Sequence, residues 1–193
     1  MQPLLTSAES DRPVSFAAPE SDETFAILYR QISPRLRRYL RVAEPEEADD
    51  LAADVWLAIV GLLGRFRGNE SGFQALVFTI ARRRITDHRR RRGRRRTDVV
   101  ANDGLVDHAG LEHPEAQVVG SLGTRAAVDE VVRCLPRAQA DVVLLRVIGG
   151  LAVEDVAEIL ERSPGAVRIL QHRALKRLRD DPTAVDLKRR LAG

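Results

Sequence analysis

Over most of this 193-residue chain the apolar residues recur at steps of three and four, the spacing of one face of an α-helix. Phe25, Leu28, Tyr29, Ile32, Leu36, Tyr39 and Leu40 define a first helix from about Glu23, with Pro34 the expected site of a kink or break. Pro45, Glu46 and Glu47 have the composition of a helix first turn, where the helix dipole favours negative charge. Leu51, Val55, Ile59, Leu62 and Leu63 then form the stripe of a second helix, to about Gly64. Residues 65–72 interrupt the period and are expected as an exposed loop. A third helix resumes at about Phe73, with Leu76, Val77, Ile80, Ala81 and Ile85 facing inward. The period then stops over residues 97–123, which hold four Gly, one Pro and several acids, longer than compact domains tolerate as a loop. Helical patterns return at about 124–134, 136–148, 152–160 and 164–179. The expected fold class is therefore all-α: two small helical domains, 23–96 and 124–181, joined by a flexible acidic linker at 97–123. Residues 1–22, rich in Ser, Pro and acids, are expected as a disordered leader, and 182–193 as a tail.

Charge is segregated in the same way. A net charge of +3 conceals −4 over residues 1–81, +9 over 82–96, −6 over 97–130 and +4 over 131–193. Blocks of opposite sign in one short chain imply several surfaces with different electrostatic partners. Arginine outnumbers lysine by 29 to 2, which reflects GC-rich coding as readily as selection for forked guanidinium contacts.

Other classes are disfavoured. The single cysteine, Cys134, cannot staple a domain and sits in an apolar helical stretch, as a core residue would. There is no 18-residue apolar run, and the N-terminus lacks the basic region and long apolar stretch of a secretory signal, so a cytoplasmic protein without membrane insertion is expected. His88, His108, His113 and His172 do not fall at metal-ligand spacing with one another or with Cys134. No phosphate-cradling glycine loop or nucleophile motif is present, so neither a catalytic role nor a cofactor is expected.

Residues 136–179 carry the most specific pattern. A helix containing Val142, Val143, Leu145 and Val147 ends at Gly149 and Gly150, good C-terminal cap residues. A short helix over 151–160 follows, then a turn at 161–163. Ser163 can cap the next helix and Pro164 suits its first position. Val167, Leu170, Ala174 and Leu178 form that helix's inner stripe, and Ala157 is small where the two helices must approach. Two short helices, a tight turn and a basic second helix describe a helix-turn-helix, whose second helix enters the major groove. Ser163, Gly165 and Ala166 are the candidates for close backbone approach, Arg168 and Gln171 for base edges, and Arg173, Lys176 and Arg177 for phosphates. A plain helical hairpin with a solvated basic face is the other reading of the same residues.

The arginines of 82–96 are less specific alone, fitting a general polyanion surface or a solvated helix end. They extend a helix preceded by Arg67, Asn69 and Ser71 and flanked by Phe66 and Phe73. Basic groups beside hydrogen-bonding groups and ring faces suit single-stranded DNA or an unstacked base. Phe66 and Phe73 fit a core role equally.

With these residues in place, the chain resembles the bacterial sigma-70 family, in particular the small extracytoplasmic-function group that keeps only the second and fourth conserved regions. Residues 49–57, with Asp49, Asp50, Asp54, Trp56 and Leu57, resemble the acidic-aromatic segment that binds the clamp helices of the largest RNA polymerase subunit. Ala53 stands where the family usually has Gln, and Asp54 where it has Glu. Residues 73–92 resemble the helix that melts and reads the minus-ten element, which adds Arg82, Arg83, Arg89 and Arg90 to the candidates for DNA. Residues 135–139 and the helix-turn-helix resemble the region that reads the minus-thirty-five element. Ile169, Leu170 and Gln171 replace the commoner Ser-Arg-Leu there.

The resemblance implies a non-catalytic transcription initiation factor with core RNA polymerase and promoter DNA, duplex and melted, as partners. It implies that the linker enters the polymerase cleft, where Asp98, Asp103, Asp107, Glu112 and Glu115 would act as an acidic nucleic-acid mimic. It also implies that the free protein hides its DNA surfaces through contacts between its own domains or is held by an anti-sigma factor. A polymerase-independent helix-turn-helix regulator is the second reading; it leaves residues 65–96 without a task.

Overall fold

The computed structural model describes residues 13–14, 21–100, 132 and 135–180. The first helix, α1 (Ser21–Ala43), buries Leu28, Ile32, Leu36, Tyr39 and Leu40, the face that the spacing marks. Pro34 does not break it. Proline removes one backbone donor, and at the exposed Pro34 the acceptor so released can turn to water. After a turn at 45–47, α2 (Ala48–Val60) buries Leu51, Ala52, Val55, Trp56 and Ile59. It ends before Gly64, because the chain tightens into a 3-10 turn at Leu63–Arg65.

The expected loop at 65–72 is shorter than its composition implies. Gly68–Asn69 (β2) pairs antiparallel with Pro13–Val14 (β1), a two-residue ladder inside the expected leader. The third helix, α3 (Glu70–Val100), starts three residues early, because Asn69 Oδ1 accepts a hydrogen bond from Gly72 N at 2.8 Å and caps it. It also runs past residue 96 into the stretch expected as linker. Leu36, Tyr39, Leu40, Val55, Ile59, Phe73, Val77, Phe78 and Ile85 fill the space between α1, α2 and α3. Each such side chain contributes roughly 1.5–3 kcal/mol through burial.

In the second half, α4 (Arg137–Val143) passes into a π-helical turn at Leu144–Ile148. Gly149 N donates to Leu144 O at 2.8 Å, and a Cβ on Gly149 would lie 2.5 Å from Leu145 O, so the wider turn requires glycine. Gly150, at φ +71°, then reverses the chain. Two helices follow, α5 (Val153–Ile159) and α6 (Pro164–Asp180).

The two halves meet. The π-helical turn lies against α1 and α5 lies against α3, and their buried residues form one continuous core. Cys134, the linker acids from Asp103 onward, the tail and most of the 124–134 segment lie outside the described residues. Among the described residues no helix is long and apolar enough to cross a membrane, and no group of metal-ligating side chains is assembled.

Candidate nucleic-acid interface

The expected helix-turn-helix is formed by α5, a turn at 160–163 and α6. Val156, Ala157, Val167 and Ala174 are buried between the helices, and Arg162 N donates to Ala157 O at 2.8 Å. Glu161 takes the left-handed conformation the turn needs, at φ 52°. Ser163 Oγ accepts a hydrogen bond from Ala166 N at 3.2 Å, and Pro164 opens the helix.

With Val167 and Ala174 inward, 3.6 residues per turn puts Gly165, Arg168, Ile169, His172, Arg173 and Lys176 on the opposite face, and all six are exposed. Ser163 and Arg177 are exposed at its edges, and Ala166 is half-buried. Arg168 reaches Glu154 at 3.1 Å, an exposed pair that stabilises by about 1 kcal/mol or less and is readily exchanged for DNA. Gln171 departs from expectation. It is half-buried, and its Oε1 accepts from Arg146 Nε at 3.3 Å, while Arg146 also donates to Leu151 O. Gln171 therefore steadies the scaffold from the side of α6. Ile169 and His172, not among the named DNA candidates, share that exposed face. Counting outward from the inner stripe marks both, and an exposed isoleucine suits a thymine methyl group.

The second surface divides its candidates. Phe73 is fully buried, with Phe66 packed edge-on at 5.3 Å, so of its two readings the core one applies. Asn69 spends its side-chain oxygen on the helix cap, and Ser71 is half-buried in the first turn of α3. Arg67 is exposed and folds back on Phe66 O at 2.7 Å and Gly64 O at 3.2 Å. Along α3, Arg83, Arg90 and Arg94 share one exposed stripe. Arg89 is turned inward: it donates to Ala43 O at 2.9 Å and to the buried Glu44 carboxylate, tying α3 to the end of α1.

Arg82 lies at the junction of the halves. Its Nη2 is 2.9 Å and its Nη1 3.2 Å from the two carboxylate oxygens of Asp141 on α4, a two-point pair. Nearby, Gln74 donates to Gly149 O, and Arg35 borders Gly150. Tyr39 is wholly buried beneath them, against Phe78 at 5.5 Å. Burial raises its hydroxyl pKa well above the ordinary value, and Arg82 opposes that shift. Arg82, expected as a DNA contact, is instead engaged by Asp141 across the junction of the halves.

The third surface is the outer face of α2. Asp50, Asp54 and Leu57 follow one another along it, with Asp49 and Val60 on its flank, and all are exposed. Leu57 is 72% exposed, so an apolar group stands among carboxylates where a partner would cover it. Trp56 does not belong to that face. It is buried against Tyr29 at 4.6 Å and Phe25 at 6.0 Å, and acts as core. Arg84, His88 and Arg91 of α3 line a small polar cleft with Asp50 and Asp54.

These helices present a basic outer face on α6 and an acidic-apolar outer face on α2, in a chain whose two halves have the make-up of a two-region helical factor carrying a helix-turn-helix. Family models agree: sigma-70 region 2 matches residues 28–95, and sigma-70 region 4 matches 125–178. The chain is 34% identical over 134 residues to the ECF RNA polymerase sigma factor ShbA of Streptomyces griseus, covering 68% of this chain and 69% of that one. It is 33% identical over 137 residues to the ECF RNA polymerase sigma factor SigD of Mycobacterium tuberculosis, covering 71% of this chain. That match spans 64% of SigD, just under two thirds of its length. The fold is that of the sigma factor RpoE solved with the anti-sigma factor NepR from Bartonella quintana, with a TM-score of 0.62 at 23% identity, covering 82% of this chain and 96% of that one. The chain belongs to the sigma-70 family of RNA polymerase sigma factors, extracytoplasmic-function type.

Proposed function

We propose that this protein is a transcription initiation factor that binds core RNA polymerase and gives it promoter specificity, itself doing no covalent chemistry. One observation carries the reading: the two family regions occur in order, and each presents a separate exposed surface suited to a different partner. The α2 face of Asp49, Asp50, Asp54 and Leu57 docks the polymerase. Arg83, Arg90 and the loop bearing Arg67 hold the melted minus-ten strand, and the outer face of α6 reads the minus-thirty-five duplex. The two helical regions, 23–96 and 124–181, which share one core in the free chain, act as domains joined through 97–123 once the polymerase draws them apart, and linkage through the polymerase lets two modest affinities act together. Action on promoter DNA places the protein in the cytoplasm. An anti-sigma factor fits as a further partner, since RpoE was solved with one.

Run-off transcription tests the reading. Core polymerase supplied with the protein is expected to initiate from a promoter selected out of randomised DNA. Tight duplex binding by the protein alone, without any initiation by core enzyme, would instead identify a polymerase-independent regulator.

A further inference from the structure

Part of the segment that precedes α1 is folded onto one of the proposed DNA surfaces. Pro13 lies opposite Asn69 and Val14 opposite Gly68, and β1 also touches α3. The covered element is the backbone of the loop that follows Arg67. Phe66 is extended there, at ψ 133°. Its ring folds against Gly68, where a Cβ would lie 2.8 Å from the ring's Cζ. Asn69 has its side chain committed to the cap of α3. What this short stretch offers outward is therefore mainly backbone, and an edge of backbone N–H and C=O groups is what an added strand pairs with.

The two residues suit the task. Val14 is β-branched, and Pro13 is acceptable on an edge strand that needs no donor at that position. The segment before α1 is acidic in sequence, with Glu9, Asp11 and Glu20 against Arg12, whereas the loop carries Arg65 and Arg67. Acidic residues on that segment are drawn to a basic loop by the same attraction that draws phosphates.

We propose that the Pro13–Val14 strand is a built-in competitor for the 66–69 loop, so that the melted minus-ten strand must displace it before the loop can hold an unstacked base. The inference rests on the assignment of that loop to melted DNA. Only molecules with the strand released are competent, and apparent affinity falls in proportion to their fraction. A two-residue ladder with one or two hydrogen bonds reduces affinity by about fivefold. The ladder itself involves neither α6 nor α2.

The test compares wild type with Val14→Pro, which removes a backbone donor from the strand, and with Val14→Ile, which keeps it. Two readings are taken on each holoenzyme: amide hydrogen exchange over residues 66–69, and affinity for a single-stranded oligonucleotide spanning the minus-ten sequence of a promoter the holoenzyme selects. Val14→Pro is expected to speed exchange and tighten oligonucleotide binding about fivefold, and Val14→Ile to change neither. A variant lacking residues 1–20 is expected to repeat the Val14→Pro result and serves if the proline disturbs folding. Unchanged exchange in both altered chains would remove the strand. Faster exchange with unchanged or weaker binding would remove the competition. If no holoenzyme binds the oligonucleotide, the loop's assignment falls and the competitor falls with it, while exchange still reports whether the strand is docked.

Discussion

Helices α3 and α6 are both rich in arginine, yet they deploy it differently. On α6 the inner stripe is apolar, so Arg168, Arg173 and Lys176 have only the outside to occupy. On α3 the arginines divide: Arg83 and Arg90 face out, whereas Arg89 holds Glu44 and Ala43 O and Arg82 holds Asp141. A guanidinium on a basic helix is thus an outward, exposed cation in one case and a structural tie in the other. What decides is the angular position around the helix and the presence of a carboxylate within reach.

Phe73 offers the largest effect with which to break this division. Phe73→Ala should destabilise the fold by about 3–5 kcal/mol in chemical denaturation, since it empties a fully buried site. A variant that keeps its stability and loses single-stranded DNA binding would return Phe73 to the interface.

Neighbouring arginines on α3 give the sharper contrast. Arg89→Ala leaves the buried Glu44 with only His88, 4.0 Å away, and should cost about 2–3 kcal/mol of stability. Arg90→Ala should leave stability within about 0.5 kcal/mol and reduce the salt slope of promoter binding by about 1. Equal stability losses in the two would erase the distinction.

The α6 pair tests the same idea on duplex DNA. Arg168→Ala should weaken binding to the minus-thirty-five element by about 1–3 kcal/mol, with relaxed preference at one base pair. Gln171→Ala should leave that preference intact, because its side chain is held by Arg146. The smallest effect lies in the turn. Glu161→Gly relieves a left-handed residue at a cost in chain entropy, and should raise stability by at most about 1 kcal/mol without altering DNA affinity.

Spacing of apolar residues made the helices and the helix-turn-helix legible, down to the Ser163 cap and the small Ala157, because those features depend on neighbours a few residues away. The division of the α3 arginines was not legible. Within 82–96 only Ile85 marks the inner side, and the partners that sort the arginines, Glu44 and Asp141, lie 45 and 59 residues away in the chain. The same holds for Trp56, whose place beside acids in the sequence conceals a ring packed against α1. The π-helical turn before Gly149 and the β1–β2 ladder depend on backbone contacts that no side-chain period encodes.

Site-specific photocrosslinking in the assembled holoenzyme on a selected promoter tests most directly the claim that two outer faces of one chain read two states of DNA. A crosslinking amino acid is placed at position 168 in one chain and at position 90 in another. Position 168 is expected to label the minus-thirty-five duplex only, and position 90 the melted minus-ten strand only. Labelling of one DNA segment from both positions, or of none from either, would contradict it.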